Sequence, residues 1–201
     1  MELQELKVES LLRSLGEKCP TPGGGAAAGV TAAIGLAAGR MVLAYSIGRK
    51  ELGEHETANN AALQELEAWR DEAVALAEAD AEAFGVLSAL WKLPEDHPER
   101  LADWDAAVHA AINAPLAMCR LCRSAAELLA DLPDRTNPML ASDLAVAAIL
   151  LHAACAAAAW NVRINLPSLA DETERARFAG EAADDVERCR DLATQVEIAC
   201  E

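Results

Sequence analysis

The chain has 201 residues, enough for one domain or two small ones with a substantial core. Hydrophobic residues make up 53% but aromatics only 3%, and with Ala and Leu dominant and β-branched runs scarce the composition predicts helix rather than sheet. Its 17 Lys and Arg against 33 Asp and Glu leave a formal charge of −16, which argues against a nucleic-acid backbone or an anionic membrane surface as partner.

Helical periodicity divides the chain into six elements. The first covers residues 2–15. The turn Cys19-Pro20-Thr21-Pro22-Gly23-Gly24-Gly25 ends it: two prolines fix φ, three glycines allow close backbone approach, and the next helix starts with its unpaired N–H groups and positive dipole end pointing outward. Such a turn is either a ligand cradle or a tight helix–helix connection. The second helix runs to about residue 47, and its small residues Ala26, Gly29, Ala33, Gly35, Ala38 and Gly39 let a neighbour approach closely. Residues 25–48 match a bilayer in length, but weakly apolar Ala and Gly with Arg40 among them predict a buried helix at a subunit interface. After Gly48, Arg49 and Lys50 either compensate the helix dipole or hold an anionic substrate.

The third element, residues 54–93, stops at Pro94. Its core stripe Leu66, Trp69, Ala73, Leu76, Asp80, Ala83, Leu87, Leu90 contains one ionisable member. A buried carboxylate costs several kcal/mol unless paired or protonated, so Asp80 is either a hydrogen-bonded structural acid or an acid–base group with a raised pKa. The fourth element, residues 99–132, carries Pro115, which predicts a kink or break near Asn113. After a loop at 133–138 the fifth helix starts at Ser142, a good N-cap followed by Asp143, and ends before Pro167. Its apolar stripe Leu144, Ala147, Leu151, Ala154, Ala158 runs into Asn161 and Asn165. These amides either meet a heteroaromatic ligand edge or fasten the helix to a neighbour. The sixth helix covers residues 168–200. With no repeat or linker, residues 1–201 read as one all-α domain, a single-domain helical bundle.

Cys19, Cys119, Cys122, Cys155, Cys189 and Cys200 are too sparse for a disulfide framework, and the N-terminus has no secretory pattern, so a reducing cytoplasm is expected. Cys119 and Cys122 lie in a helical pattern, as do His152 and Cys155, whereas structural zinc motifs use tight turns, so no metal is expected. P-loop, Rossmann glycine and Gly-x-Ser-x-Gly patterns are absent from the sequence.

Several blocks occur together: the Pro-Thr-Pro-Gly-Gly-Gly turn at 20–25, the Ala/Gly helix ending Ser46-Ile47-Gly48-Arg49-Lys50, Asp80-Ala81-Glu82-Ala83-Phe84, Ala114-Pro115-Leu116-Ala117-Met118-Cys119-Arg120, Asn137 with Ser142-Asp143, and Asn161-Val162-Arg163-Ile164-Asn165. In order and spacing, over residues 6–169, they resemble the cyclodeaminase/cyclohydrolase family, which includes the cyclodeaminase part of formiminotransferase-cyclodeaminase and free-standing methenyltetrahydrofolate cyclohydrolases. The resemblance implies an all-helical homodimer with a folate-binding groove near the subunit interface and no cofactor beyond the tetrahydrofolate derivative itself. It implies Asp80 as acid–base group, a glycine loop (Pro22, Gly23, Gly24, Gly25) against the ligand, Arg49 and Lys50 near the substrate's anionic part, and Ser142, Asp143, Asn161 and Asn165 as polar lining.

The implied activity is either hydrolysis of 5,10-methenyltetrahydrofolate, favoured because the chain stands apart from a transferase domain, or cyclodeamination of 5-formiminotetrahydrofolate. The non-enzymatic alternative is a helical dimer that binds folate or a protein partner. The chain departs from the family pattern at Ala26, where a Ser is common, and at Glu51 and Leu52, where lysines and a Tyr are common. Those replacements leave less positive charge for a polyglutamate tail.

Overall fold

The computed structural model describes residues 7–19 and 21–201. Six α-helices form among the described residues and no strand does: α1 Val8–Gly16, α2 Gly24–Ala44, α3 Glu56–Trp91, α4 Pro98–Ala130, α5 Ala141–Asn165 and α6 Glu172–Ala199. The expected first helix begins outside the described residues, at 2–6, and Pro20 of the glycine turn also lies outside them.

Helices α2 to α5 close a four-membered ring in which each packs antiparallel to the next, and α6 lies across α4 and α5. One hydrophobic cluster joins α2 to α6, with Leu36, Leu43, Leu66, Leu87, Ile112, Leu116, Leu129, Leu144 and Leu151 fully buried. Of the expected stripes, Leu66, Ala73, Ala83, Leu87 and Leu90 on α3 and Leu144, Ala147, Leu151, Ala154 and Ala158 on α5 are buried, while Trp69, Leu76 and Asp80 are half-buried. Helix α2 is clasped between α3 and α5. Its glycines make that possible: a Cβ on Gly29 would stand 2.5 Å from the Ala77 Cβ, and one on Gly39 would stand 2.8 Å from Leu129 Cδ2. Two segments, Gly24–Ala44 and Pro138–Ser168, are long and apolar enough to cross a bilayer, and half of the α2 window is buried inside the bundle.

Three boundaries differ from the sequence reading. Ser142 does not cap α5, which starts at Ala141; Asn137 instead accepts a hydrogen bond from Met139 N at 3.1 Å and shapes the 3-10 turn Pro138–Leu140 that leads into it. The sixth helix starts only at Glu172, where Asp171 accepts from Thr173 N at 2.7 Å and Glu174 N at 3.3 Å. Helix α4 runs through Pro115 without a break. Pro115 has no N–H, so the Ala111 carbonyl four residues earlier loses its helical donor. Asn165 replaces that donor, its Nδ2 lying 2.8 Å from the Ala111 oxygen.

Candidate active site

The N-terminus of α2 meets the middle of α3 and the C-terminal end of α5. There Thr21, Gly23, Gly24, Gly25, Ala26, Asp80, Ala81, Phe84, Ala111, Asn161, Ile164 and Asn165 line a cleft of about 180 Å³. Gly23 precedes α2 with no side-chain cap and the first turn has no acidic residue, so the opening N–H groups of the helix face the cleft without an internal acceptor.

Asp80 reaches the cleft from α3 and sits against the backbone of α2. A Cβ on Gly25 would stand 1.8 Å from Asp80 Oδ2, so only glycine leaves room for the carboxylate. Among the described residues Asp80 has no hydrogen-bond or ion-pair partner. Burial with no compensating cation pushes its pKa from 3.8 up to about 6. The chain itself offers no donor for the hydrogen-bonded structural reading of Asp80, and a raised pKa of this kind is common among groups that move protons.

The two asparagines divide the work. Asn165 is buried and spends its amide hydrogens on structure, donating to the Ala111 oxygen at 2.8 Å and to the Asn161 oxygen at 3.0 Å. It fastens α5 to α4 at the floor of the cleft, and Oδ1 is the part of its amide left to meet a ligand. Asn161 lies across from Asp80 on the far side of the glycine turn, its Oδ1 3.1 Å from where a Gly24 Cβ would be, and its buried Nδ2 has no partner.

Arg49, Lys50, Ser142 and Asp143 do not join this cleft within one chain. Arg49 and Lys50 follow the far end of α2, about 30 Å from Gly24 at 1.5 Å per residue, and Ser142 is about 28 Å from Asn161 along α5. They gather at the opposite end of the bundle, where Arg49 donates to Glu51 Oε1 at 2.7 and 3.1 Å and Gly48, at φ +79°, donates its N–H to Glu56 at 2.9 Å. The buried Ser46 Oγ at that end accepts from Asn137 N at 2.8 Å. Pro22 is buried beside the cleft without lining it.

Sequence reading passed over the apolar walls, Phe84 and Ile164 above all. Phe84 follows Asp80 by one helical turn and Ile164 adjoins Asn165, so both carried a positional signal. The cysteine core has a packing role. Cys119 and Cys155 point their thiols at each other's backbone oxygens at 3.6 and 3.7 Å, and burial drives the Cys122 thiol well above its ordinary pKa. No group of three or more His, Cys, Asp or Glu among the described residues is placed to hold a metal ion.

The chain is similar to known proteins over most of its length. The chain is 33% identical over 168 residues to the methenyltetrahydrofolate cyclohydrolase of Methylorubrum extorquens, covering 82% of this chain and 81% of that protein. It is 30% identical over 190 residues to the formimidoyltransferase-cyclodeaminase of Gallus gallus, covering 92% of this chain but only 34% of that longer protein. The crystal structure of formiminotetrahydrofolate cyclodeaminase from Thermotoga maritima superposes with a TM-score of 0.88 at 28% identity, over 98% of this chain and 97% of that one. The sequence pattern of the formiminotransferase-cyclodeaminase family matches residues 7–184, and the chain belongs to that family.

Proposed function

We propose that the chain is a folate-dependent one-carbon enzyme that hydrolyses 5,10-methenyltetrahydrofolate, with Asp80 as the group that moves protons. The carrying observation is the single unpartnered, partly buried carboxylate pressed against Gly25 in a cleft with two asparagine amides and Phe84. The substrate's amidinium is a cation, so it supplies the charge partner that Asp80 lacks. A pKa near 6 keeps Asp80 ionised at neutral pH yet able to take and return a proton, which suits addition of water followed by departure of a ring nitrogen. Phe84 and Ile164 offer apolar surface to the flat pterin, and the α2 N–H groups and asparagines meet its polar edge. The reading assigns no metal or organic cofactor beyond the folate. Cyclodeamination of 5-formiminotetrahydrofolate passes through a tetrahedral carbon between the same two nitrogens and is the second reading, favoured by the Thermotoga maritima neighbour.

A homodimer belongs to the same proposal. The cleft, at about 180 Å³, is smaller than the roughly 300–1,000 Å³ of ordinary ligand pockets. Along the outer faces of α2 and α5 run exposed Ile34, Met41 and Tyr45, and Val146, Ile149, Trp160 and Ile164, an apolar strip beginning at the cleft rim. A twofold axis that reverses these helices would lay the partner's Arg49, Lys50, Ser142 and Asp143 over the cleft, within reach of the substrate's glutamate tail. Six free thiols fit the reducing cytoplasm that is part of this reading.

The test is an ultraviolet assay of the protein and of Asp80→Asn with each substrate. Loss of the methenyl chromophore from 5,10-methenyltetrahydrofolate, abolished by the variant, is expected. Gain of that chromophore from 5-formiminotetrahydrofolate would favour the second reading, and folate binding with turnover of neither substrate refutes both.

A further inference from the structure

Pro115 lies inside α4 and frees the carbonyl of Ala111, a residue of the cleft wall. Asn165, at the end of α5, spends both hydrogens of its amide on backbone oxygens, one on Ala111 at 2.8 Å and one on Asn161 at 3.0 Å. The amide therefore cannot turn over, because the reversed group would press Oδ1 against two carbonyl oxygens. Asn165 is only 7% exposed and lines the cleft. Its Oδ1 has no donor among the described residues, yet it is not sealed off from solvent as the Asn161 Nδ2 is. The cleft is thus offered a hydrogen-bond acceptor of fixed orientation. Asn165 is also the last residue of α5, where the carbonyl end of the helix dipole is negative. Both features favour a donor on the ligand at this spot, since an opposing acceptor would leave the nearly buried oxygen unpaired.

We infer that Asn165 is a specificity-determining residue whose Oδ1 selects the donor edge of a 2-amino-4-oxopyrimidine, the N3–H with its neighbouring 2-amino group, and that Pro115 is the positioning residue that holds it there. This deepens the proposed function and rests on it. In a tetrahydropterin the N3–H and 2-amino hydrogens are adjacent donors along one edge, and an amide oxygen has two lone pairs to receive them. Pro115 acts through Asn165. In an unbroken helix the N–H of residue 115 would bond to the Ala111 oxygen, and Asn165 would have to share that oxygen or release it. The proline costs α4 one hydrogen bond and leaves the cleft an amide with a single orientation.

The experiment compares 5-formyltetrahydrofolate with its 4-amino-4-deoxy counterpart, whose N3 carries a lone pair where the first compound carries a hydrogen. Calorimetry gives Kd for both ligands with wild type, Asn165→Ala, Pro115→Ala and the double variant Pro115→Ala/Asn165→Ala. In the double variant the N–H of residue 115 satisfies the Ala111 oxygen, so the acceptor is removed without stranding a carbonyl even if Asn165→Ala alone fails to fold. Wild type is expected to bind the 4-oxo compound at least about tenfold more tightly. Asn165→Ala and the double variant should bring the two Kd values within about threefold, and Pro115→Ala should lower the preference at least about threefold. A merely structural role for either residue would weaken both ligands alike and leave their ratio unchanged. A preference that survives in the double variant overturns the role of Asn165, and one unaltered in Pro115→Ala overturns the role of Pro115. Wild type that hydrolyses 5,10-methenyltetrahydrofolate but treats the two ligands alike overturns this inference alone. Wild type that binds neither ligand and turns over neither substrate overturns the proposed function with it.

Discussion

Replacing Asp80 by Asn is expected to make the ligand-free protein more stable while removing its activity. Asp80 is shifted from 3.8 to about 6, about two units, and at about 1.4 kcal/mol per unit its ionised form costs the fold about 3 kcal/mol. The positive end of α2 beside Gly25 offsets part of this, so a gain of about 1–3 kcal/mol is expected for the amide. The sign follows from proton binding: the native state holds the Asp80 proton more tightly than the unfolded chain. Wild-type stability therefore falls as pH rises from about 3.8 to about 6 and loses no more above that. The amide does not titrate, so the two proteins should separate through this window and differ fully at pH 8. Urea unfolding at fixed protein concentration, followed by tryptophan fluorescence at pH 5, 6, 7 and 8, measures the gap, as does an increase of about 2–4 °C in Tm per kcal/mol. An Asp80→Asn protein no more stable than wild type at pH 8, or a gap that ignores pH, would refute the view that Asp80 is an uncompensated, partly buried acid.

The same carboxylate predicts that kcat/KM for 5,10-methenyltetrahydrofolate falls about tenfold per unit below pH about 6, because the base must be ionised in the free enzyme; a flat profile from pH 5 to 8 would contradict this. Asn165→Ala should cost about 1–3 kcal/mol by stranding the Ala111 carbonyl, and less than about 1 kcal/mol in a Pro115→Ala background, where residue 115 regains its N–H; additive costs in a double-mutant cycle would remove the link. Gly25→Ala should fold, since the obstructing atoms end a side chain, yet lose turnover by displacing Asp80. Gly29→Ala, which meets Ala77 Cβ at 2.5 Å and the Ala73 oxygen at 2.9 Å, should instead lose several degrees in Tm. Ile149→Glu on the outer face of α5 should give a monomeric mass in light scattering with activity lost; an active monomer would sink the proposed dimer.

Much of the bundle was legible because helical burial repeats every three to four residues and the core stripes of α3 and α5 are long. Asp80 stood out for the same reason, as a charge where the repeat calls for an apolar residue. What misled was local chemistry with a distant remedy. Pro115 marks a break by every local rule, but its lost hydrogen bond is replaced from Asn165, 50 residues later, which no window of sequence displays. Ser142 has the chemistry of a cap and lies one residue inside a helix already started by the turn after Asn137.

The sequence by itself determined the helical class, the buried faces and the singular acid, since each rests on composition and periodicity along one element. Which acid–amide pairs meet was decided only by tertiary structure. Antiparallel packing of α2 between α3 and α5 puts Gly25 beside Asp80 and Asn161, and the same packing sends Arg49 and Ser142 to the other end. Spacing along a chain carries no information about helix direction in the bundle.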